Sequence, residues 1–200
     1  MRLILFFLFS FLMGSVPTAY LFARILKKID IRQYGSGNSG ATNAFRVLGK
    51  GPGLAVFAVD FFKGFFPVIL FSGAYSNLSA AQPEFLVWIG FTAILGHVFT
   101  PFLRFRGGKG VATGAGVLCA GFFYLFLLAL LVWLLVFFLT RIVSASSLTA
   151  FFSVIINSIF FKVSTLATVS FFVVFLFVTW THRTNIFRLL KSKEEQFRSG

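Results

Sequence analysis

Long apolar runs, separated by short loops that hold nearly every charge, constrain this chain more than any other feature. Hydrocarbon offers no water to satisfy backbone N–H and C=O groups, so a run that enters it folds as a helix that closes its own hydrogen bonds. Hydrophobic residues make up 58% of the 200 and charged ones 12%, too few polar groups to cover a water-facing surface. The expectation is an all-α integral membrane protein forming a single domain over residues 1–200. A formal charge of +13 could suit nucleic acid, but the Lys and Arg residues sit in loops between apolar runs and form no solvated basic face, which argues against it. Cys119 is the one cysteine, lies in an apolar run and packs as a small hydrophobe.

Residues 1–23 begin with Arg2 and a Leu/Phe-rich stretch, as a cleavable signal peptide also does. The stretch continues to Ile25 and Leu26 before Lys27-Lys28, with no clean A-x-A site, so it reads as an uncleaved first span. Arg24, Lys27, Lys28, Arg32, Arg46 and Lys50 then place the first loop in the cytoplasm and the N-terminus outside. A second span, about 53–72, leads out to a loop, 73–83, without Lys or Arg; a third, about 84–100, returns to Arg104, Arg106 and Lys109. The tail carries Arg183, Arg188, Lys191, Lys193 and Arg198 and belongs in the cytoplasm. Counting back through about 163–181 and 145–161 puts Arg141 inside as well, so residues 110–140 must leave and return. At ~1.5 Å per residue this segment cannot cross a ~30 Å core twice at full length, so one helix is short, with Gly121 the natural break. Seven transmembrane helices are expected, some short, with the C-terminus cytoplasmic.

Four polar constellations fall on that cytoplasmic side. The first is Gly35-Ser36-Gly37-Asn38-Ser39-Gly40-Ala41-Thr42-Asn43, followed by Arg46. Its glycines let backbone N–H groups approach a ligand, its side chains donate hydrogen bonds and Arg46 adds a fixed charge, a combination suited to phosphate. The segment also matches G-x-G-x-x-G with Asp60 as a candidate ribose acid, but no strand precedes it and Asp60 lies in an apolar helix, so a dinucleotide site does not fit. A plain loop of turn residues is the bland alternative. The second constellation, Asp60 and Lys63 with Gly64 and Pro67, sits inside the second span; charges at i and i+3 share a helix face and read as an internal ion pair that also shapes a cavity.

The third constellation runs from His97 through Arg104, Arg106, Gly107 and Gly108 to Lys109 and Gly110. Its Gly-Gly-Lys-Gly core opens a helix, so free N–H groups, the helix dipole and Lys109 are expected to converge on an anion. It is not a Walker loop, because Gly110 stands where the metal-binding hydroxyl belongs. His97 reads equally as a base or a structural donor. The fourth pairs Arg141 and Ser144 with His182, Arg183 and Asn185, where Ser144 could be a helix cap and Arg183 an anchor. Two histidines and three acids scattered outside the tail make no metal site, and none is expected.

The stretches GSGNSGATNAFRVLG, DFFKGFFP, GHVFTPFLRFRGGKGVATGAG and HRTNIFRLL, in this order and spacing, resemble the bacterial acyl-phosphate:glycerol-3-phosphate acyltransferase family, the PlsY type, over nearly the whole chain. The resemblance implies a seven-helix, multi-pass enzyme of the bacterial plasma (inner) membrane with its active site facing the cytoplasm. It implies transfer of a fatty acyl group from acyl phosphate to the 1-hydroxyl of sn-glycerol 3-phosphate, giving lysophosphatidic acid and phosphate without a cofactor. Membrane lipids surround it, and the enzyme that makes acyl phosphate becomes a functional partner.

Resemblance and geometry together assign Ser36, Gly37, Asn38, Ser39, Gly40, Thr42 and Asn43 to the acyl phosphate, and Arg46, Lys109, Ser144, His182 and Asn185 to glycerol phosphate. Ser36, Arg46, Lys109, His182 and Asn185 form the catalytic set, supported by Asp60, Lys63, His97, Gly107 and Gly108. Acyl phosphate is a mixed anhydride with a good leaving group, so the enzyme mainly has to hold two phosphates together against their repulsion. The chain has no His-x4-Asp pair, which separates it from acyl-CoA-dependent acyltransferases. Direct transfer is expected, with a donor phosphate oxygen taking the hydroxyl proton. The competing reading is a transporter or channel for phosphate or a phosphorylated metabolite. A transporter needs polar groups along a path across the bilayer, whereas these cluster at one face.

Overall fold

The structure, a computed structural model, describes residues 2–75, 82–194 and 196–197. Its described residues form α1 (Arg2–Ser15), α2 (Thr18–Lys27), α3 (Ala41–Leu48), α4 (Lys50–Tyr75), α5 (Pro83–Val98), α6 (Val111–Gly121), α7 (Phe123–Thr140), α8 (Val143–Phe160), α9 (Thr165–Thr181) and α10 (Arg183–Leu190). The chain divides into two compact units, residues 1–121 with α1–α6 and residues 122–200 with α7–α10.

Among the described residues, five helical stretches are long and apolar enough to cross a membrane: 2–27, α4, 83–103, α7 and α8. A sixth follows only if α9 and α10, bent by 65° at His182, count as one span. The short helix expected between 110 and 140 is α6; at 11 residues it is about 16 Å long, roughly half the apolar core. The break between α6 and α7 falls at Phe122, directly after Gly121. Of the loop expected outside, residues 76–81 lie beyond the described residues, as does Arg198 of the tail.

One interruption was not expected. The first span breaks at Val16-Pro17, because Pro17 has no N–H to continue the ladder. The carbonyls exposed there are taken up by side chains from elsewhere in the unit: Thr100 Oγ1, just beyond α5, donates to Ser15 O at 2.5 Å and Lys63 Nζ of α4 donates to Val16 O.

Close helix crossings in the first unit depend on reciprocal glycines. A Cβ on Gly14 would strike the Ala93 carbonyl of α5, and one on Gly96 would strike the Phe11 carbonyl of α1. Gly64 of α4 and Gly116 of α6 stand in the same relation to Thr113 O and Phe61 O. Small residues let backbones meet where lipid gives no hydrophobic drive to associate. Beside the first glycine-rich motif, Ala19, Ala23, Ile31, Ala44, Leu48 and Val56 bury one another, which docks α2, α3 and α4 around the turn at Ile31–Gln33. In the second unit α7 packs on α8 and α8 on α9, with Trp133 Nε1 donating to Ser147 Oγ at 3.3 Å.

Candidate active site

The donor-rich segment is half loop and half helix. Gly35 and Gly37 take left-handed φ values of 58° and 73°, and extended Gly40 starts α3, so Thr42, Asn43 and Arg46 stand on a helix where a loop was expected. Asn43 is buried and its amide is spent on the turn: Oδ1 accepts from Ser36 N–H at 2.9 Å, while Nδ2 donates to Ile31 O at 3.2 Å and Tyr34 O at 3.0 Å. A Cβ at Gly35 would collide with that Oδ1. Asn43 therefore organises the turn that presents Ser36, Gly37 and Asn38. The Ser39 hydroxyl is buried without a protein partner, close to the start of α3, where N–H groups and the helix dipole favour an anion. Lys27 Nζ caps the other end of α3 through Val47 O at 2.6 Å, and Arg46 is exposed on its last turn.

The Gly107–Gly110 segment differs from expectation. Gly107 N–H donates to Val98 O at 2.9 Å and Gly108 N–H to His97 O at 3.1 Å, so these two amides cap the end of α5 and are not donors to an anion. Both glycines are needed for close approach. A Cβ on Gly107 would strike His97 O, and one on Gly108 would strike His97 Nε2. Lys109 is half-buried, and Gly110, with φ 83°, leads directly into α6.

Behind the His97 ring lies the ion pair. Lys63 Nζ is 2.6 Å from Asp60 Oδ1, the two side chains are 4% and 2% exposed, and His97 Nδ1 is 3.8 Å from the same oxygen. Asp60, Lys63 and His97 thus form one buried cluster under Gly107 and Gly108, with Asp60 Oδ2 unpartnered. The turns that lead into the two glycine-rich segments are joined by Arg32, which pairs with Asp30 at 2.6 Å and donates to Leu103 O at 3.3 Å. The Arg32 hydrogen bonds hold the Asp30 carboxyl below its ordinary range, against the opposing effect of its partial burial.

In the second unit, Ser144 and Asn185 meet on a residue the sequence reading passed over as part of a terminal tail. Glu194 Oε1 accepts from Ser144 Oγ at 2.8 Å and from Asn185 Nδ2, while its Oε2 is buried without a partner. The available signal was scarcity: the chain has only five acids, and Glu194 interrupts a basic tail. His182 is buried at the α9–α10 bend with Nδ1 2.8 Å from Val178 O. A carbonyl can only accept, so Nδ1 carries the proton and Nε2 is the acceptor in the neutral ring. Arg183 stacks over Trp180 at 4.5 Å and donates to its carbonyl at 3.1 Å, and Arg141 closes α7 with φ 59° over Phe137 and Phe138. Among the described residues no three His, Cys, Asp or Glu side chains form a metal-ligand group.

A model of the glycerol-3-phosphate acyltransferase family matches residues 4–192. A glycerol-3-phosphate acyltransferase of Endomicrobium trichonymphae is 42% identical over 195 residues, 98% of this chain and 96% of that protein. One from Thermosynechococcus vestitus is 45% identical over 193 residues, 94% and 91% of the two chains. Among solved structures, the glycerol 3-phosphate form of PlsY (YgiH), an integral membrane glycerol 3-phosphate acyltransferase, is similar with a TM-score of 0.91 and 35% identity, covering 99% of this chain and 96% of that one. Its lysophosphatidic acid form gives a TM-score of 0.89.

Proposed function

We propose that this chain, which belongs to the glycerol-3-phosphate acyltransferase family, transfers a fatty acyl group from acyl phosphate to the 1-hydroxyl of sn-glycerol 3-phosphate. The observation that carries the reading is the tie through Arg32 between the turns that lead into two glycine-rich segments, one bearing Ser36, Asn38 and the unpartnered Ser39 hydroxyl, the other Lys109. Two such segments suit a reaction in which two phosphates must be held close. The related PlsY structures are of a glycerol 3-phosphate form and a lysophosphatidic acid form, the acceptor and a product of that reaction.

In the proposed mechanism the acceptor hydroxyl oxygen attacks the acyl carbonyl, the bond from that carbon to the phosphate oxygen breaks, and a donor phosphate oxygen takes the proton. Ser36, Gly37, Asn38, Ser39, Gly40 and Thr42 hold the acyl phosphate, on a turn that Asn43 fixes. Arg46 and Lys109 supply charge to glycerol phosphate; Ser144, His182 and Asn185 supply hydrogen bonds, two of them oriented by Glu194. Asp60, Lys63 and His97, with Gly107 and Gly108, set the position of Lys109. Orientation, not covalent or cofactor chemistry, accounts for the rate. The whole chain acts as one catalytic domain of the bacterial inner membrane, with seven spans, the N-terminus outside and the motifs facing the cytoplasm. There it receives its donor from the enzyme that makes acyl phosphate.

Purified protein incubated with acyl phosphate and labelled glycerol 3-phosphate should form a labelled lysolipid, at a rate that chelators leave unchanged. Transfer from acyl-CoA or acyl carrier protein at a comparable rate would refute the proposed donor, and transport of phosphate without lysolipid would favour the channel.

A further inference from the structure

Ser144 and Asn185, two of the proposed ligands of glycerol phosphate, are already hydrogen-bonded to one carboxylate oxygen, Glu194 Oε1. A serine hydroxyl has one hydrogen to give, and here it goes to Glu194 at 2.8 Å. While that bond stands, Ser144 has only lone pairs to offer, which an anionic phosphate oxygen cannot use. One of the two Asn185 amide hydrogens is spent in the same way. The donors proposed for an anion are therefore held by an anion of the chain's own.

The tail that carries Glu194 has a second attachment. Phe197 N–H donates to Arg141 O at 2.7 Å, at the end of α7, and the Phe197 ring meets Phe137 edge-on at 5.9 Å. All of these groups belong to the second unit. As a fastening, the carboxylate is costly. Glu194 Oε2 is buried with no partner, so half of the group gives up water without a hydrogen bond in return. Phe197 docks the tail without such a penalty. What a carboxylate on Ser144 and Asn185 adds is an imitation of phosphate, a negative oxygen within reach of the same donors. The two anions exclude one another there, because charged oxygens on shared donors repel strongly where water is kept out.

We propose that Glu194 and Phe197 form an autoinhibitory strap, in which the Glu194 carboxylate occupies Ser144 and Asn185 in the substrate-free enzyme and is displaced, with Phe197, when glycerol 3-phosphate binds. The inference rests on the assignment of Ser144 and Asn185 to that substrate. Closed, the strap keeps both side chains in place; released, it yields them to the phosphate. The apparent affinity for glycerol 3-phosphate is then the intrinsic affinity reduced by the fraction of molecules whose strap is released. The unpartnered Oε2 raises the energy of the closed state and so leaves it within reach of displacement.

Phe197→Ala loosens the strap without altering Ser144, Asn185 or Glu194. Loss of an aromatic pair of this kind should lower KM for glycerol 3-phosphate about two- to ten-fold, with kcat and KM for acyl phosphate unchanged. Phe197→Tyr, which keeps the ring, and Gln196→Ala, at an exposed position of the same tail, should match the wild type. A second readout needs no turnover. Saturating glycerol 3-phosphate, without acyl phosphate, should raise amide exchange at Phe197 in the wild type as its N–H leaves Arg141 O. A raised or unchanged KM in Phe197→Ala, an equal fall in Gln196→Ala, or Phe197 exchange that glycerol 3-phosphate leaves unchanged or lowers would each overturn the strap. Protein that shows the glycerol 3-phosphate-dependent exchange but makes no lysolipid would refute the proposed reaction and leave the strap standing. Protein that makes lysolipid with Phe197 unmoved would do the reverse.

Discussion

Asn43 and Glu194 illustrate how single polar side chains are used here: each is consumed in fixing others. Asn43 satisfies three backbone groups of its turn, and Glu194 draws Ser144 and Asn185 onto one carboxylate oxygen. Arg46 and Lys109 are proposed to touch phosphate directly. Replacing either with alanine should therefore cut kcat/KM about 10- to 150-fold, the equivalent of ~1.5–3 kcal/mol, with the melting temperature unchanged. Arg188→Ala and Lys191→Ala should have little effect at matched expression; equal losses at all four positions would mean that general positivity is all that is required. Asp30 gives a prediction with a defined sign. Its folded pKa is lowered by Arg32, so the pair stabilises the fold above the unfolded value of about 3.9 and loses that contribution as pH falls through the depressed folded pKa. Amide-exchange protection factors at residues 103–108 should be constant through neutral pH and fall only on strong acidification, and Asp30→Asn should show the lowered protection at every pH.

Between elements, the same buried lysine serves two purposes. Lys63 on α4 neutralises Asp60 and satisfies Val16 O at the break that Pro17 creates between α1 and α2. Asp60→Ala leaves that ammonium buried without its carboxylate and should cost about 3–5 kcal/mol in thermal unfolding in detergent. Asp60→Asn combined with Lys63→Met should cost less than the two single changes added; full additivity would show that the pair is not coupled. Gly108 marks the contact between α5 and the segment that leads to Lys109. Gly108→Ala should destabilise by roughly 1–3 kcal/mol through collision with His97 Nε2 and raise KM for glycerol 3-phosphate. Adding His97→Ala, which removes the obstructing ring, should recover part of the stability.

For the whole molecule, the distribution of cations makes the strongest prediction. Six of the eighteen Lys and Arg residues fall from Arg24 to Lys50 and five from Arg183 onward. Reporter fusions at residues 2 and 198 should therefore report opposite sides of the membrane, the N-terminus outside. Both on one side would sink the seven-span arrangement. The proposed parity depends on the short α6, because two full crossings do not fit between residues 110 and 140.

The sequence by itself determined what depends on local pattern and counting. Apolar runs without water for their backbone had to be helices, the length of 110–140 required a short one, and the break after Gly121 lay where glycine weakens a helix. The four motifs and their order led to the family for the same reason, since each is a contiguous stretch. What only the tertiary structure decided is which donors remain available, because a hydrogen-bonding group is used up by whatever packs against it. The Gly107 and Gly108 amides were open donors by sequence and are caps on α5 in the fold. Asn43 looked like a ligand and holds a turn, and Lys63 answers a proline break some 47 residues earlier. Glu194 had no local pattern to mark it; its role arises only when α10 and the tail bring it to Ser144, 50 residues away in the chain.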